Sequence, residues 1–409
     1  MTNREAALRL IKKLRAEGFE ALLAGGCVRD MLLGRAAKDY DIATSAHPSD
    51  VCRLFKRTLK VGAKFGVVMV MTGDIQTEVA TFRTDSGYAD GRRPDKIKFS
   101  NAREDAHRRD FTINGMFYDP VARKIIDYVG GEKDVKKGVI RTIRDPQKRF
   151  GEDYLRMLRA VRFSAQLGFS IEDSAWQAIC DNAAKISRIS GERIAMELEA
   201  IFATPRRADG AEKVILSGLG QAVFRGFEGE KARFGVSVLR HLRKQVDFAL
   251  AISGFFAAFE TKFALDWIEV LKLSRSRMRH IRFLLENRGI LLEENMSTAN
   301  LKLMLSEVYF EDLYELQRAI QRAKGAGITA LVKIRKRARA LADQELRPKR
   351  LLNGHDLIRL GAIPGPQVGQ LAEELYIAQL EGNVCTEDQA KRWCTDWLEK
   401  RKDRQWFKP

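Results

Sequence analysis

The sequence predicts a small α/β head followed by an all-α body and tail, and three observations carry that expectation. Strand-like apolar or alternating segments occur only up to about Phe150. From Glu152 onward the 3.6-residue period of amphipathic helices takes over. At 409 residues, the chain is also too long for one compact core. In the head, "MTNREAALRLIKKLRAEGFE" reads as an amphipathic helix without a cleavable signal pattern. "KFGVVMVMT" and "IQTEVATFR" read as strands joined by the turn "GD", and "RKIIDYVGG" as a third short strand. Farther on, "EDYLRMLRAVRFSAQLGF", "DSAWQAICDNAAKI", "SGERIAMELEAIF", "DLYELQRAIQRA" and "GPQVGQLAEELYIAQLEG" are helical by period. "VDFALAISGFFAAFE" falls short of the roughly 20 residues a bilayer span needs, so it is expected to be a buried helix.

Charge narrows the class of partner. Lys and Arg number 72 against 54 Asp and Glu, a formal +18, and such an excess favours phosphate, where each neutralised group releases counterions. "VKIRKRARALADQELRPKR" is a basic helix-like run that suits a solvated face or an RNA backbone. Cys27, Cys52, Cys180, Cys385 and Cys394 form no C-x-x-C pair, which argues against zinc or a disulfide framework and for a cytoplasmic protein. His47, His107, His241, His280 and His355 show no ligand spacing.

The chemistry concentrates in "LLAGGCVRDMLLGRAAKDYDIATS". In a strand, residues i and i+2 share a face, so Asp39 and Asp41 are expected to lie parallel on one short strand. Two adjacent carboxylates call for a positive partner, and hard oxygen ligands suit Mg²⁺ held together with substrate phosphates. Gly25 and Gly26 precede an apparent helix N-terminus, where unpaired N–H groups favour an anion, and Arg29 follows one turn later. Metal pair and phosphate cradle together make a nucleoside triphosphate site. Glu78, in the apolar strand "IQTEVATFR", is read as a third carboxylate, a ligand or general base; an exposed residue on an edge strand is the plainer alternative.

With these residues in hand, "GGCVRDMLLG", "KDYDIAT", "RRDFTINGMFYDP", "IRDPQKRFGEDYLRMLRAVRFSAQLGF" and "GERIAMELEAIF" resemble the successive motifs of the class II tRNA nucleotidyltransferase and poly(A) polymerase family. The match runs from about Leu22 to Phe202, with a weaker echo in "LLNGHDLIRLGAIPGPQVGQLAEELYIAQLEG". The resemblance implies a polymerase-β-like nucleotidyltransferase head at 1–150 and a base-recognising neck at 151–205. It also implies a helical body at 206–345 and a tRNA-binding helical tail at 346–409. It implies Mg²⁺ on Asp39 and Asp41, and incoming nucleotide on Gly26 and Arg29. It likewise implies ribose and phosphate contacts from Arg108, Arg109, Asp110 and Asn114. Gly115 departs from the family, where Ala or Ser is more usual.

Base choice is assigned to "GEDYLRMLRAVRF". Asp153 and Arg156 are three apart and are expected to share a helix face, an acceptor beside a donor. Cytosine and adenine each present an amino donor beside a ring-nitrogen acceptor and fit such a pair; uracil and guanine present the opposite order. Glu152, Asp153 and Arg156 fit the family's E-D-x-x-R motif, and Arg159 and Arg162 continue the spacing toward triphosphate and primer. "GYADGRRP", within the loop between two strands, resembles the family loop that accompanies A addition. The expected function is template-independent CCA addition to tRNA from CTP and ATP with release of pyrophosphate by a two-metal mechanism. The alternatives are the A-adding half of a split system, a poly(A) polymerase, or an RNA-binding protein with a degenerate head.

Overall fold

The structure, a computed structural model, describes residues 1–59, 65–86, 96–293 and 295–405. Contacts group the chain into two compact units, Met1–Val236 with Ala258–Ser274, and Ser237–Ala257 with Arg275–Pro409.

In the first unit, α1 (Asn3–Ala16) is capped by Thr2, whose hydroxyl accepts from Glu5 N while Thr2 N donates back to the Glu5 carboxylate. Its apolar stripe Ala7, Leu10, Ile11 and Leu14 is buried, as the sequence period requires. Then follow β1 (Ala21–Ala24), α2 (Gly26–Leu32), β2 (Asp41–Thr44), α3 (Pro48–Leu54) and β3 (Thr58–Leu59). β4 (Val67–Thr72) and β5 (Ile75–Thr81) form the expected hairpin. β6 (Arg83–Ser86) and β7 (Lys96–Phe99) make a separate two-stranded ribbon where the sequence suggested only loop. The "GYADGRRP" stretch between them lies outside the described residues. After α4 (Ala102–His107) come β8 (Phe117–Asp119) and β9 (Lys124–Ile126). The main sheet has seven strands in the order β3-β4-β5-β2-β1-β8-β9; β2 and β5 are parallel and the other neighbours antiparallel. The head built on this mixed sheet leads into helices: α5 (Gly131–Lys137), α6 (Pro146–Glu152), α7 (Leu155–Leu167), α8 (Asp173–Asn182) and α9 (Gly191–Phe202).

Every regular element among the described residues of the second unit is a helix. All eight residues of the helix Phe248–Phe255 are buried, matching the sequence expectation for that apolar run. Near the C-terminus, Leu352, Leu357, Leu371, Leu375, Cys394 and Trp397 form a small core of their own. No helix among the described residues is long and apolar enough to cross a membrane.

Candidate active site

Sheet register builds one wall of the site. Ala24 of β1 pairs with Asp41, so the first residue of β2 sits beside the Gly25–Gly26 turn. Gly25 has φ 75°, and a Cβ there would lie 3.0 Å from Arg109 Nη1, so both conformation and space select glycine. In the parallel pairing of β2 with β5, Ile42 faces Val79, which places Asp41 level with Glu78. β5 lies between β4 and β2 and is therefore no edge strand.

Asp39 departs from expectation. β2 begins only at Asp41 because β1 has already turned away at Gly25, leaving residues 39 and 40 without a ladder partner. Asp39 is thus exposed and precedes the strand rather than lying on it, although its charge still reaches Asp41. Burial and the Glu78 charge push the Asp41 carboxyl up to about 6; Arg109 opposes them and Asp39 adds to the rise. Asp41 is half-buried and Glu78 beside it is exposed, and a carboxylate set short of positive charge at a cavity wall fits a hard divalent cation.

The opposite wall is rich in arginine. Asp105 is wholly buried at the end of α4. Its Oδ1 accepts from Arg108 Nε (2.8 Å) and its Oδ2 from Arg109 Nε (3.1 Å) and Nη2 (3.0 Å). Burial raises its pKa, yet Arg109 and Arg108 outweigh that and hold it below the usual carboxylate range. Arg109 Nη1 also donates to the Asn114 carbonyl (3.3 Å). Next comes a chain of contacts: Arg29 Nη1 donates to Asn114 Oδ1 (2.8 Å), and Asn114 Nδ2 donates to Asp110 Oδ1 (3.2 Å). Asp110 Oδ2 in turn accepts from Arg159 Nε (2.9 Å) and Nη2 (2.6 Å). Against the cost of burial, Arg159 drives the Asp110 pKa far below normal. Arg29, Arg159 and Arg162 all stack on the Phe163 ring, 5.4, 5.4 and 4.1 Å from its centroid. At Gly115 a Cβ would meet Val129 and Ile143 at 2.7 and 2.9 Å, so the absence of Ala or Ser is matched by tight packing.

The segment to which the sequence assigned base choice is broken where one continuous helix was expected. α6 ends at Glu152, and Asp153 is extended (φ −148°, ψ 106°), with its Oδ1 accepting from Leu155 N (3.1 Å). Asp153 and Arg156 therefore do not share a helix face as an ion pair. Asp153 Oδ2 instead binds Arg193 Nη2 (2.8 Å). Arg156 Nη1 donates to Glu152 (2.5 Å) and to the Arg149 carbonyl (2.9 Å). Both side chains nevertheless reach the same space, each held by its own partner.

That space is one cavity of about 510 Å³. It is lined by Gly25, Gly26, Arg29, Asp41, Glu78, Arg108, Arg109, Asp110, Asn114, Asp153, Arg156 and Arg159. Asp39 and Arg162 are absent from the lining; Arg162 Nε donates to Glu197 Oε2 (2.6 Å). The sequence missed Arg193, Phe163 and Arg83 in the lining, and Asp105 behind it. A signal for Asp105 was present: two successive arginines at i+3 and i+4 from a single aspartate.

In the second unit, Asp247, His280 and Asp312 converge closely enough to hold a metal. His280 Nδ1 and Nε2 each lie 3.3 Å from a different carboxylate, and the ring stacks on Tyr309. Burial lowers the His280 pKa, but Asp247 and Asp312 outweigh it and raise it to about 9.

Comparison with known proteins adds the following. The model of the Poly A polymerase head domain matches residues 21–141, and that of the probable RNA and SrmB-binding site of polymerase A matches residues 168–230. A CCA-adding enzyme of Lactobacillus johnsonii is 35% identical over 401 residues, covering 94% of this chain and 95% of that one. One from a Geobacillus species is 44% identical over 216 residues, 53% of each chain. The crystal structure of Bacillus stearothermophilus CCA-adding enzyme in complex with CTP matches with a TM-score of 0.81 at 29% identity, over 99% of this chain and 100% of that. A Thermotoga maritima CCA-adding enzyme complexed with tRNA shares the fold, with a TM-score of 0.68 at 22% identity over 96% and 95%.

Proposed function

The chain belongs to the CCA-adding enzyme family, and from that premise we propose that it adds C, C and A to the 3′ end of tRNA without a template, using CTP and ATP and releasing pyrophosphate. One observation carries the reading: a carboxylate wall short of positive charge faces an arginine wall across a single cavity. A nucleoside triphosphate with its metal complements both walls.

Asp39 and Asp41 would hold Mg²⁺, which when bound supplies Lewis-acid activation of the attacking 3′-hydroxyl and charge neutralisation at the leaving pyrophosphate. Arg29, Arg108, Arg109 and the Gly25–Gly26 turn bind triphosphate oxygens, while Asp110 and Asn114 accept from or donate to the ribose. Glu78 stands on the carboxylate wall as a further ligand or as the base for the hydroxyl proton. Asp153 and Arg156 read the base. Their partners Arg193 and Glu152 fix them before the nucleotide arrives, so an amino donor beside an acceptor nitrogen is matched and the reverse order is not. Each mismatch leaves a buried polar group unpaired, at about 1–3 kcal/mol. Arg159 acts through Asp110, and Arg162 braces α7 against α9 through Glu197. The neck, body and tail assignments at 151–205, 206–345 and 346–409 belong to the same proposal, with basic helices such as Thr329–Ala340 gripping RNA phosphates. Five free cysteines suit the reducing cytoplasm.

Purified protein incubated with tRNA lacking its terminus, Mg²⁺ and each nucleotide tests this. Extension by CCA with CTP and ATP, and none with UTP or GTP, is the expected result. Addition of A alone to tRNA already ending in CC would identify the split-system reading instead, and no extension would refute both.

A further inference from the structure

A second cavity, of about 430 Å³, shares a wall with the first. Arg108, Arg109, Asp110 and Asn114 line one, and His107 and Thr112 of the same segment line the other. Its volume falls within the roughly 300–1,000 Å³ of small-ligand sites. Most polar groups in it are already matched. Arg141 spans Asp134 (3.2 Å) and Glu172 (2.8 Å), the Thr112 hydroxyl donates to Asp134 (2.7 Å), and Glu172 also accepts from the Ser174 hydroxyl.

Two groups stand apart. His107 Nδ1 is buried with no hydrogen-bond partner among the described residues. Arg144, on the rim, is exposed, and no carboxylate among the described residues lies within ion-pair distance of it. Arg144 also has φ 68°, a left-handed conformation that glycine would adopt more easily. What arginine adds at that position is its guanidinium. Burial, together with Arg144, Arg103 and Arg149, holds His107 below its ordinary pKa against the pull of Glu104. The remaining surface includes Tyr128, half-exposed, with the Arg103 guanidinium over its ring at 5.9 Å.

We propose that this cavity is a second nucleotide site, in which Arg144 binds a phosphate and Tyr128 supports the base. An unpaired guanidinium selects the anion and an aromatic face the flat ring. The one carboxylate in the lining, Glu172, is occupied by Arg141 and Ser174 and does not repel the phosphate from the Arg144 side. The nucleotide has two sources of the same chemistry, a free nucleotide or one residue of a bound RNA. Because the 107–114 segment is common to both cavities, occupancy here bears on the arginines of the catalytic wall.

The test uses the full-length protein, with AMP titrated calorimetrically in the absence of divalent cations, and tRNA binding measured across a salt series. Arg144→Gly removes the cation while suiting the backbone, so its melting temperature should not fall; Arg144→Asn, which also tolerates φ > 0, serves as the second variant. If the source is a free nucleotide, wild type binds two AMP per chain and both variants weaken one of those sites at least tenfold. If the source is RNA, the variants reduce the slope of log K against log salt by about 0.7–0.9, the loss of one phosphate contact. Unchanged AMP isotherms together with an unchanged slope in both variants would overturn the proposal.

Discussion

The two walls of the active cavity treat carboxylates in opposite ways. Asp41 and Glu78 face each other with too little positive charge, and the Asp41 carboxyl is pushed up to about 6. Asp105 and Asp110, a short distance along the chain, are at least as deeply buried, but arginine holds both below the usual range. Asp105 and Asp110 are buried whereas Asp41 is half-buried and Glu78 exposed, so burial alone would raise the first pair more; the counterion reverses the order. On the proposed function, one wall takes an external cation, and the other uses its carboxylates to aim arginines at an external anion. A substitution should reveal which kind of wall it has touched.

The largest expected effect is on the cation-seeking wall. Asp41→Ala should lower the rate of nucleotide addition by about 10³-fold, the equivalent of ~4 kcal/mol of transition-state stabilisation, with tRNA affinity nearly unchanged in a filter-binding assay. On the arginine wall, Asp105→Ala should act first on stability. Leaving Arg108 and Arg109 without their buried partner is expected to cost about 3–5 kcal/mol in denaturant unfolding and to raise KM for CTP. A stability loss at Asp41 as large as that at Asp105 would erase the contrast between the walls. Asp153→Ala should cut discrimination against UTP by roughly 10–100-fold in single-turnover assays, matching 1–3 kcal/mol of lost hydrogen-bond mismatch.

In the second unit, His280 stands between the carboxylates of Asp247 and Asp312. Its folded-state pKa, raised to about 9 from the ordinary 6.5, means its stabilisation is fully present below about pH 6.5. That contribution is lost as pH rises through 9. Arg243, which pairs with Asp312 (2.6 Å), moderates it. Unfolding monitored across this range should show a decline that His280→Gln flattens. The smallest effect is expected at Arg162→Ala, within about threefold of wild-type turnover, because its guanidinium braces Glu197 and does not line the cavity.

Legibility of the molecule in its sequence followed the length of the signal. The stripe of α1, the β4–β5 hairpin and the buried helix Phe248–Phe255 were all readable because periodicity had enough residues to act on. β2 and β9 were readable as short strands, whereas β1, β3 and β8, with two to four residues each, are too short for alternation to stand out. The Leu155, Leu158 and Val161 stripe is helical, and reading it backward through Asp153 concealed the break that lets Asp153 meet Arg193. Most of the site residues were recognisable by chemical type, since paired acids, glycines and arginines stand in short motifs. Arg193 was missed because its partner Asp153 lies 40 residues away and only tertiary structure brings them together, whereas Asp105 carried a local signal in Arg108 and Arg109.

The contrast between the walls is tested most directly by Mn²⁺ titration, followed by paramagnetic resonance, with CTP bound to wild type and to Asp41→Asn. Mn²⁺ should bind wild type and weaken at least tenfold in the variant, with metal-free CTP affinity retained. Equal Mn²⁺ affinity in the two proteins would contradict the account.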